Sequence, residues 1–375
     1  MAEGDPATAL VGEVRPNHRF DEGKLAAWLS ANVEGFRAPM TVGQFQRGAS
    51  NPTFLITAGG ARYVLRKKPP GQLLASAHQV DREYRVMKAL GTVGFPVPVM
   101  RAYCGDEAVI GTPFYVMDFL EGRIFRNARL PGMTPAERAA IYDDLGATLA
   151  RLHGVDYAAI GLGDYGRPGN YFARQIDRWI KQYRGAETER IEAMERLIAA
   201  LPARAPADDT TTIAHGDYRL ENVMYHPSEP KIIAVLDWEL STLGHPLADI
   251  AYNCILWHSR SESWGTFDGM VLEGSGIPTE AEYVAAYCRR TGRAGIDDFG
   301  FYLGFSLFRL ASIGQGVFKR NLDGIGNADA VGDNSGTKML AEEALKALEG
   351  SRATRRIAGL AQRLPRLTSE RTAKS

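Results

Sequence analysis

Residues His215–Asn222 read His-Gly-Asp-Tyr-Arg-Leu-Glu-Asn, and the tripeptide Asp237-Trp238-Glu239 begins fifteen residues after Asn222. Transfer of a γ-phosphoryl group needs an oriented acceptor hydroxyl, an acceptor for its proton, and Mg²⁺ held between the phosphates. An Asp on a loop, an Asn five residues later and a second Asp after the next hairpin supply all three, and oxygen ligands suit Mg²⁺. The spacing therefore favours Asp217 as the base, with Asn222 and Asp237 as metal ligands. Two unrelated acidic loops are the alternative.

A basic strand residue and a helical Glu are the next parts that a kinase-type site requires. Strand alternation places Arg66 on the side of the site and Lys67 on the opposite face, although a basic pair at a strand end is more often solvated than functional. Glu83 shares a helical stripe with Met87, and a carboxylate on an apolar stripe needs a buried partner. We therefore expect Glu83 to pair with Arg66.

Two further segments are candidates for contacts to the nucleotide. Ser50 and Asn51 lie in a turn between two predicted strands, where they and backbone N–H groups could contact phosphate oxygens; an ordinary turn is the alternative. The backbone from Met117 to Phe119 leaves a strand toward a linker that ends at Gly122, where an adenine could hydrogen-bond. A plain apolar edge strand explains that segment equally well.

The first third of the chain is predicted to be a small sheet. Residues 1–35 form an extension with a short helix that begins near Asp21, and residues 36–118 form an N-lobe. The pattern predicts a five-stranded antiparallel sheet with one helix. The predicted strands are 41–45, 53–57, 62–66, 99–103 and 108–119, and the helix is 76–90.

The rest of the chain is predicted to be mainly helical. Thr134–Glu137 is a capping box with Pro at the first helical position, and it starts a helix that ends at Gly154. Further helices are expected over 171–184 and 188–200, with a small β insert near 213–236. The fold class is therefore α+β, a bilobal protein-kinase-like fold. Its C-lobe spans 119–350, and a basic tail spans 351–375.

A basic face in the last third is the candidate for acceptor binding. Helical spacing places Arg309 and Arg320 on one face, with Phe301, Phe305 and Phe308 nearby. Such a face suits an anionic or CoA-bearing acceptor rather than a polycation, through charge-assisted contacts and stacking. A core helix with arginines that extend toward water is the alternative.

Composition excludes several classes of protein. The chain has 375 residues, 45% of them hydrophobic, and 44 basic side chains balance 44 acidic ones. The apolar fraction is too high for a disordered protein, and neutrality argues against general nucleic-acid binding. The tail 351–375 holds seven Lys/Arg and one Glu, so it offsets an acidic body. We expect the tail to be solvated, with binding of an acidic partner as the alternative.

The cellular compartment is predicted from what the sequence contains. Cys104, Cys254 and Cys288 form no Cys-x-x-Cys pair, which is typical of a reducing compartment. The first fourteen residues carry acidic groups where a secretion signal carries positive charge. No uncharged run reaches the roughly 18 residues of a membrane span. We expect a cytoplasmic protein without a membrane span, and the oligomeric state stays open.

The stretch HGDYRLENVM…AVLDWELSTLGHPLADIAY resembles the catalytic and metal loops of the aminoglycoside phosphotransferase-like kinases, which include choline kinase-like proteins. Within this family it is similar to the branch found as the kinase-like domain of acyl-CoA dehydrogenase 10/11-type proteins. YVLRKKPPG, YVMDFLEGR and FYLGFSLFRLASIGQGVFKR extend the resemblance over about residues 35–325. The resemblance implies a bilobal kinase fold, ATP, Mg²⁺, and phosphorylation of a hydroxyl on a hydroxyacyl substrate such as a 4-hydroxyacyl-CoA.

The resemblance also implies roles for particular residues. Asp217 matches the base, Asn222 and Asp237 match the metal ligands, and Arg66 with Glu83 matches the phosphate-binding pair. Asp249, in His-Pro-Leu-Ala-Asp, matches the structural Asp that supports the catalytic loop, and His215 is interpreted as a second support rather than as a base.

Two residues depart from the usual pattern. Arg66 stands where lysine is usual, and Asp-Trp-Glu replaces the Asp-Phe-Gly of protein kinases, which argues against a mobile switch. An aminoglycoside or amino-alcohol kinase, or a nucleotide-binding pseudokinase scaffold, are the alternative functions.

Overall fold

A computed structural model describes residues 11–46, 51–69, 79–260, 266–324 and 333–350. The chain divides into two compact units. The first joins Met1–Asp177 to Pro206–Ile277, and the second joins Arg178–Ala205 to Pro278–Ser375. The sheet and the two loops that carry the predicted catalytic and metal residues belong to the first unit, so that unit holds the chemistry considered below.

The first unit begins with an antiparallel sheet in the order β1-β2-β3-β4-β6-β5. Alternating side chains of β3 and β4, among them Phe54, Ile56 and Leu65, are fully buried on one face against the helix α1. The strands are β1 (Val11–Gly12), β2 (Met40–Phe45), β3 (Thr53–Ala58), β4 (Ala61–Lys67), β5 (Met100–Cys104) and β6 (Phe114–Asp118). Helix α1 spans Glu22–Asn32 and begins at the N-cap Asp21.

The sheet differs from the prediction in two places. Val11 and Gly12, in the predicted extension, pair with Phe45 and Gln44 and add a sixth strand among the described residues. The predicted strand 108–119 begins instead with a short helix, α3 (Glu107–Ile110). Asp106 caps this helix by accepting a hydrogen bond from the Ala108 N–H, and Gly111 ends it at φ 85°. Strong capping at both ends therefore overrides the apolar β-like run.

Helix α2 (Val80–Thr92) packs on the face of the sheet opposite to α1, and it carries Glu83. Further along, α4 (Pro135–His153) begins with the predicted capping box, in which Thr134 and Glu137 bond to each other's backbone N–H. The remaining elements of this unit are the short strands β7 (Thr212–Ala214), β8 (Val223–Tyr225), β9 (Ile232–Val235) and β10 (Thr242–Gly244), and the helix α7 (Pro246–Asn253). Helix α5 (Tyr171–Ala186) runs across the sequence boundary between the units.

The second unit is helical. Its elements are α6 (Glu192–Ala200), α8 (Glu280–Thr291), α9 (Phe299–Leu322) and α10 (Ser335–Gly350). The first two-thirds of α9 are buried almost without interruption, and α9 packs along α10. Within the described ranges, no helix is both long enough and apolar enough to cross a membrane.

Candidate active site

The segment His215–Asn222, called here the catalytic loop, connects β7 to β8. Gly216 lies at φ 83°, and a Cβ at that position would be 2.6 Å from the carbonyl oxygen of Leu240. Only glycine accommodates both the left-handed backbone and this close approach. The loop therefore makes a tight turn directly before Asp217.

Asp249, in α7, hydrogen-bonds to the start of this loop. Its carboxylate accepts hydrogen bonds from the backbone N–H groups of His215 at 2.7 Å and Gly216 at 2.9 Å. His153 Nε2 lies 3.3 Å from the same carboxylate. Burial alone would raise the pKa of Asp249, but the hydrogen bonds from His153 and Gly216 hold that pKa below its usual value. The carboxylate is thus stabilised in the charged form that the loop requires.

Replacing Asp249 with asparagine should destabilise the protein by about 3 kcal/mol. The amide is uncharged and has one oxygen, so it cannot accept the two backbone hydrogen bonds that the carboxylate accepts. Since the folded-state pKa of Asp249 is lowered, its stabilisation is present above the unfolded pKa near 4 and is lost as pH falls. Urea unfolding of wild type and Asp249→Asn should therefore differ most near pH 7 and converge below about pH 4. A constant difference across that range would contradict this assignment.

His215 is fully buried and joins the two functional loops. Its Nδ1 accepts a hydrogen bond from the Asp217 N–H at 3.2 Å, so its Nε2 carries the proton that is donated to the carbonyl of Leu236 at 2.9 Å. Leu236 directly precedes Asp237. The ring therefore fixes the spacing between the loop of Asp217 and the loop of Asp237, and neither nitrogen is left for proton transfer in this arrangement.

The carboxylate of Asp217 is held by side chains from two elements. Asn222 Nδ2 donates to Asp217 Oδ2 at 2.7 Å and to its backbone carbonyl at 2.9 Å. The hydroxyl of Tyr252 donates to Asp217 Oδ1, and Arg219 Nε lies 3.6 Å from the same oxygen. Because the amide nitrogen of Asn222 bonds to Asp217, its oxygen is the atom that suits a cation.

Asp237 follows β9 in an unusual backbone conformation. Its φ of 61° lies in the left-handed region, which Asp and Asn tolerate better than most residues. The next residue, Trp238, is 1% exposed, donates from Nε1 to the carbonyl of Val235 at 3.0 Å, and packs against His215 with ring centroids 4.7 Å apart. This buried indole fixes the direction in which the Asp237 carboxylate leaves the backbone.

Arg66 connects the sheet to this carboxylate. Its Nη2 lies 2.8 Å from Asp237 Oδ1 and 3.7 Å from Glu239 Oε2, while its Nε lies 3.4 Å from Glu83 Oε2. Burial opposes the charge on Arg66, but Glu83 and Asp237 raise the pKa of the guanidinium well above its usual value. The predicted pairing of Arg66 with Glu83 is present, and Arg66 in addition contacts the predicted metal ligand.

Glu83 is completely buried and has two hydrogen bonds in addition to its contact with Arg66. Asn51 Nδ2 donates to its Oε1 at 2.8 Å, and the Tyr115 hydroxyl donates to its Oε2 at 3.1 Å. Burial raises the pKa of Glu83, although Arg66 and both hydrogen bonds act to lower it. Asn51 thus lies beside the helix Glu rather than in an isolated turn, while Ser50 lies outside the described residues.

Lys67 takes the opposite face of β4, as strand alternation predicts. It is 3% exposed, and its Nζ lies 5.6 Å and 6.0 Å from the ring centroids of Phe20 and Phe54. Burial lowers the pKa of Lys67. Of the two neighbouring cations, Arg66 is therefore the one that lies in the site.

The predicted adenine segment is partly engaged within the sheet. The N–H of Asp118 donates to the carbonyl of Val99 at 2.9 Å, and the N–H of Phe119 donates to the carbonyl of Arg62 at 3.2 Å. The ring of Phe119 also packs under the Arg62 guanidinium, 4.4 Å from its centroid. The Phe119 N–H is therefore already used, and Met117, two residues earlier, lies within β6 and is paired with Val64.

The two predicted acceptor residues both lie in α9 of the second unit. Arg309 is buried, with its guanidinium 5.5 Å from the Trp179 ring centroid, whereas Arg320 is exposed in the last turn. The two arginines thus differ in environment, and the buried one packs as a core residue of its unit does.

Four residues of the site were not singled out from the sequence. They share direct contacts to the predicted residues: Tyr115, Arg219, Glu239 and Tyr252. The sequence feature that could have identified Tyr252 is its position three residues after Asp249 on one helix, which places both residues on the same face. Arg219 and Glu239 each lie two residues after a predicted functional Asp.

The donor set fits a hard cation that retains other ligands. Among the described residues, no group of three or more His, Cys, Asp or Glu side chains is arranged to hold a metal ion. One carboxylate and one amide oxygen are what Mg²⁺ takes from a protein when phosphate and water complete its octahedral shell. The chemistry of Asp237 and Asn222 is therefore consistent with Mg²⁺ that arrives with a nucleotide.

With this geometry in place, comparison with known proteins gives the class. The profile of the phosphotransferase enzyme family (APH) matches residues 41–287. The chain belongs to this family. A crystal structure of a candidate aminoglycoside phosphotransferase from Ralstonia eutropha JMP134 is 48% identical, with a TM-score of 0.81 over 90% of this chain and all of that one.

More distant solved structures share the fold. A thermostable mutant of aminoglycoside phosphotransferase APH(4)-Ia, in a ternary complex with AMP-PNP and hygromycin B, is 16% identical with a TM-score of 0.56. The alignment covers 86% of this chain and 98% of that protein. The predicted α+β kinase-like fold is thereby confirmed.

Curated relatives confirm the predicted branch. Acyl-CoA dehydrogenase family member 11 of Rattus norvegicus is 46% identical over 319 residues, which are 83% of this chain and 41% of the relative. Acyl-CoA dehydrogenase family member 10 of Mus musculus is 46% identical over 308 residues, 81% of this chain and 29% of the relative. The chain therefore spans less than half the length of these relatives.

Proposed function

We propose that this protein is an ATP- and Mg²⁺-dependent kinase that transfers the γ-phosphoryl group of ATP to an alcohol hydroxyl. One observation carries the proposal. Asp217 and Asn222 are hydrogen-bonded to each other, and Arg66 links Glu83 to Asp237. The N–H of Leu236, the residue before Asp237, donates to the carbonyl of Asn222 at 2.8 Å and joins the two groups. This arrangement supports a site in which base, metal ligands and phosphate-binding cation act together, as phosphoryl transfer requires.

In this proposal the residues have separate tasks. Asp217 orients the acceptor hydroxyl and takes its proton, and a positioned base of this kind contributes about 10²- to 10⁴-fold to the rate. Asn222 and Asp237 would hold Mg²⁺, which supplies charge neutralisation for the phosphates. Arg66, fixed by Glu83, would contact the phosphates, and its fork of N–H donors suits their oxygens.

The acceptor is proposed to be a hydroxyacyl group, such as that of a 4-hydroxyacyl-CoA. The relatives named acyl-CoA dehydrogenase family members 10 and 11 support an acyl-CoA context. The exposed Arg320 is the candidate contact for an anionic acceptor, and the buried Arg309 is proposed only to support the helix that carries it.

The test is ATP turnover by the purified chain with a panel of acceptors. We expect ADP release to rise with 4-hydroxyacyl-CoAs or hydroxy acids and to stay at background with aminoglycosides. Stimulation by an aminoglycoside, or drug resistance on expression, would favour the aminoglycoside kinase that the neighbouring structures suggest. Nucleotide binding without turnover on any acceptor would favour a pseudokinase scaffold.

Replacing Arg66 with methionine should weaken nucleotide binding by about 10- to 100-fold, because charge-assisted hydrogen bonds contribute about 1.5–3 kcal/mol. Arg66→Lys should keep part of that affinity, since an ammonium retains the charge but not the fork. Calorimetric titration with the non-hydrolysable analogue AMP-PNP in Mg²⁺ measures both.

The matched control is Lys67→Met, the same change one residue along β4 on the opposite face. It should leave nucleotide affinity within about 2-fold, since Lys67 packs on Phe20 and Phe54. A loss in Lys67→Met together with no loss in Arg66→Met would reverse the assignment of the phosphate-binding cation.

A further inference from the structure

One face of α7 holds the catalytic loop by four hydrogen bonds. Asp249 accepts two from backbone N–H groups, and Asn253 Nδ2 donates to the carbonyl of Tyr218 at 3.0 Å. These three bonds fix the backbone of the loop. The fourth is different, because the hydroxyl of Tyr252 donates to the side chain of Asp217 at Oδ1.

This fourth bond restrains the one soft torsion of the base. The terminal torsion of an aspartate is broad, so a carboxylate on a fixed backbone still rotates. Asn222 holds Oδ2 of Asp217, and Tyr252 holds Oδ1 from the opposite element. A carboxylate bonded at both oxygens keeps a single orientation. Without Tyr252, Oδ1 would keep the longer contact to Arg219 Nε at 3.6 Å, which restrains the plane of the carboxylate less than a hydrogen bond does.

The position of Tyr252 suits such a restraint. The residue is buried and lies in α7, between Asp249 and the end of the helix. The N-terminus of this helix is fixed by Pro246 and by the side chain of His245, which accepts a hydrogen bond from the Leu247 N–H at 3.2 Å. A donor mounted on a rigid, capped helix holds its acceptor more precisely than a donor on a loop.

We propose that Tyr252 is a positioning residue for phosphoryl transfer, a role that rests on the proposed function. Its hydroxyl holds the Asp217 carboxylate in the orientation from which it accepts the acceptor's proton. In that step the acceptor oxygen forms its bond to phosphorus, the bond from phosphorus to ADP breaks, and the proton moves to Asp217. Tyr252 keeps its own proton and touches no substrate.

The test is Tyr252→Phe, which removes one oxygen and keeps the ring. With water as acceptor, phosphate release at saturating MgATP should fall at least about 10-fold, because small misplacements of a base are costly. The KM for ATP and the affinity for AMP-PNP should stay within about 2-fold. In an Asp217→Asn background the same change should have no further effect, since coupled residues are not additive.

The matched control is Tyr142→Phe, in α4. Tyr142 is also fully buried, but its hydroxyl donates to the Ala128 carbonyl at 2.6 Å, which lies outside the catalytic loop. It should lower the melting temperature without lowering turnover. Equal losses in both variants, or a further loss on the Asp217→Asn background, would overturn the positioning role. Unchanged turnover in Tyr252→Phe would overturn it too. A wild-type protein without any ATP turnover would overturn the proposed function itself, and the role with it.

Discussion

Replacing Asp217 with asparagine is expected to lower ATP turnover by about 10³-fold, within the range of a positioned general base. Asparagine keeps the size of the side chain, and its one oxygen can still accept a hydrogen bond from Asn222 or Tyr252, but it cannot accept a proton. Binding of AMP-PNP should stay within about 2-fold, because Asp217 is not proposed to hold metal or phosphate. Steady-state turnover and calorimetry on one preparation give both quantities.

The control for this change is Asp164→Asn, which neutralises an exposed carboxylate that pairs with Arg85. It should leave turnover unchanged. Wild-type turnover in purified Asp217→Asn would show that the mechanism assigned to this residue is wrong. A parallel loss of nucleotide affinity would instead move Asp217 into the group that holds the metal.

Replacing Asp237 with asparagine should remove most of the gain in nucleotide affinity that Mg²⁺ provides. The carboxylate is the only charged metal ligand in the proposal. Because a bound metal contributes several kcal/mol of charge stabilisation in the transition state, turnover should also fall about 10³-fold. Asparagine tolerates the backbone of this position, where φ is 61°, whereas alanine would add strain. AMP-PNP should be titrated with Mg²⁺ and with EDTA.

Two outcomes separate the possible roles of Asp237. If it binds the metal, wild type and Asp237→Asn should bind AMP-PNP differently in Mg²⁺ and similarly in EDTA. If its main task is to hold Arg66, to which it is bonded at 2.8 Å, the variant should bind more weakly in both conditions. Unchanged affinity in Mg²⁺ would contradict the metal role.

Much of the candidate site could be predicted because its residues are concentrated in short segments. Residue type and spacing make Asp217, Asn222 and Asp237 candidates, and Asn222 is found bonded to Asp217. The apolar stripe around Glu83 predicts a cationic partner, and strand alternation predicts that Arg66 rather than Lys67 faces it, which is the contact found. These inferences depend on local periodicity, which is what a sequence reports directly.

What the sequence did not reveal depends on contacts between distant residues. Tyr252 meets Asp217 across 35 positions, and Arg66 meets Asp237 across 171. The hydrogen bond from the Phe119 N–H to the Arg62 carbonyl likewise depends on the register of two strands. Register and long-range pairing are set by packing of the whole unit, so single segments cannot report them.

The two errors in the fold have local causes. An apolar run near residue 110 has the composition of a strand, but Asp106 and Gly111 cap it as one helical turn. The sixth strand contributes only Val11 and Gly12, too short for any periodic signal. β1 lies at the edge of the sheet and α3 lies in the connection between β5 and β6, and neither element contains a residue of the candidate site.

The burial of Trp238 has a consequence for how activity is controlled. Moving this indole out of its contacts would cost about 3 kcal/mol or more, so the segment that begins at Asp237 has no alternative conformation of similar free energy. Its conformational entropy is given up when the chain folds, and none of the free energy of nucleotide binding is needed to order it. For the proposed kinase, we therefore expect turnover to follow the concentrations of its substrates, because no ordering step at this segment limits it.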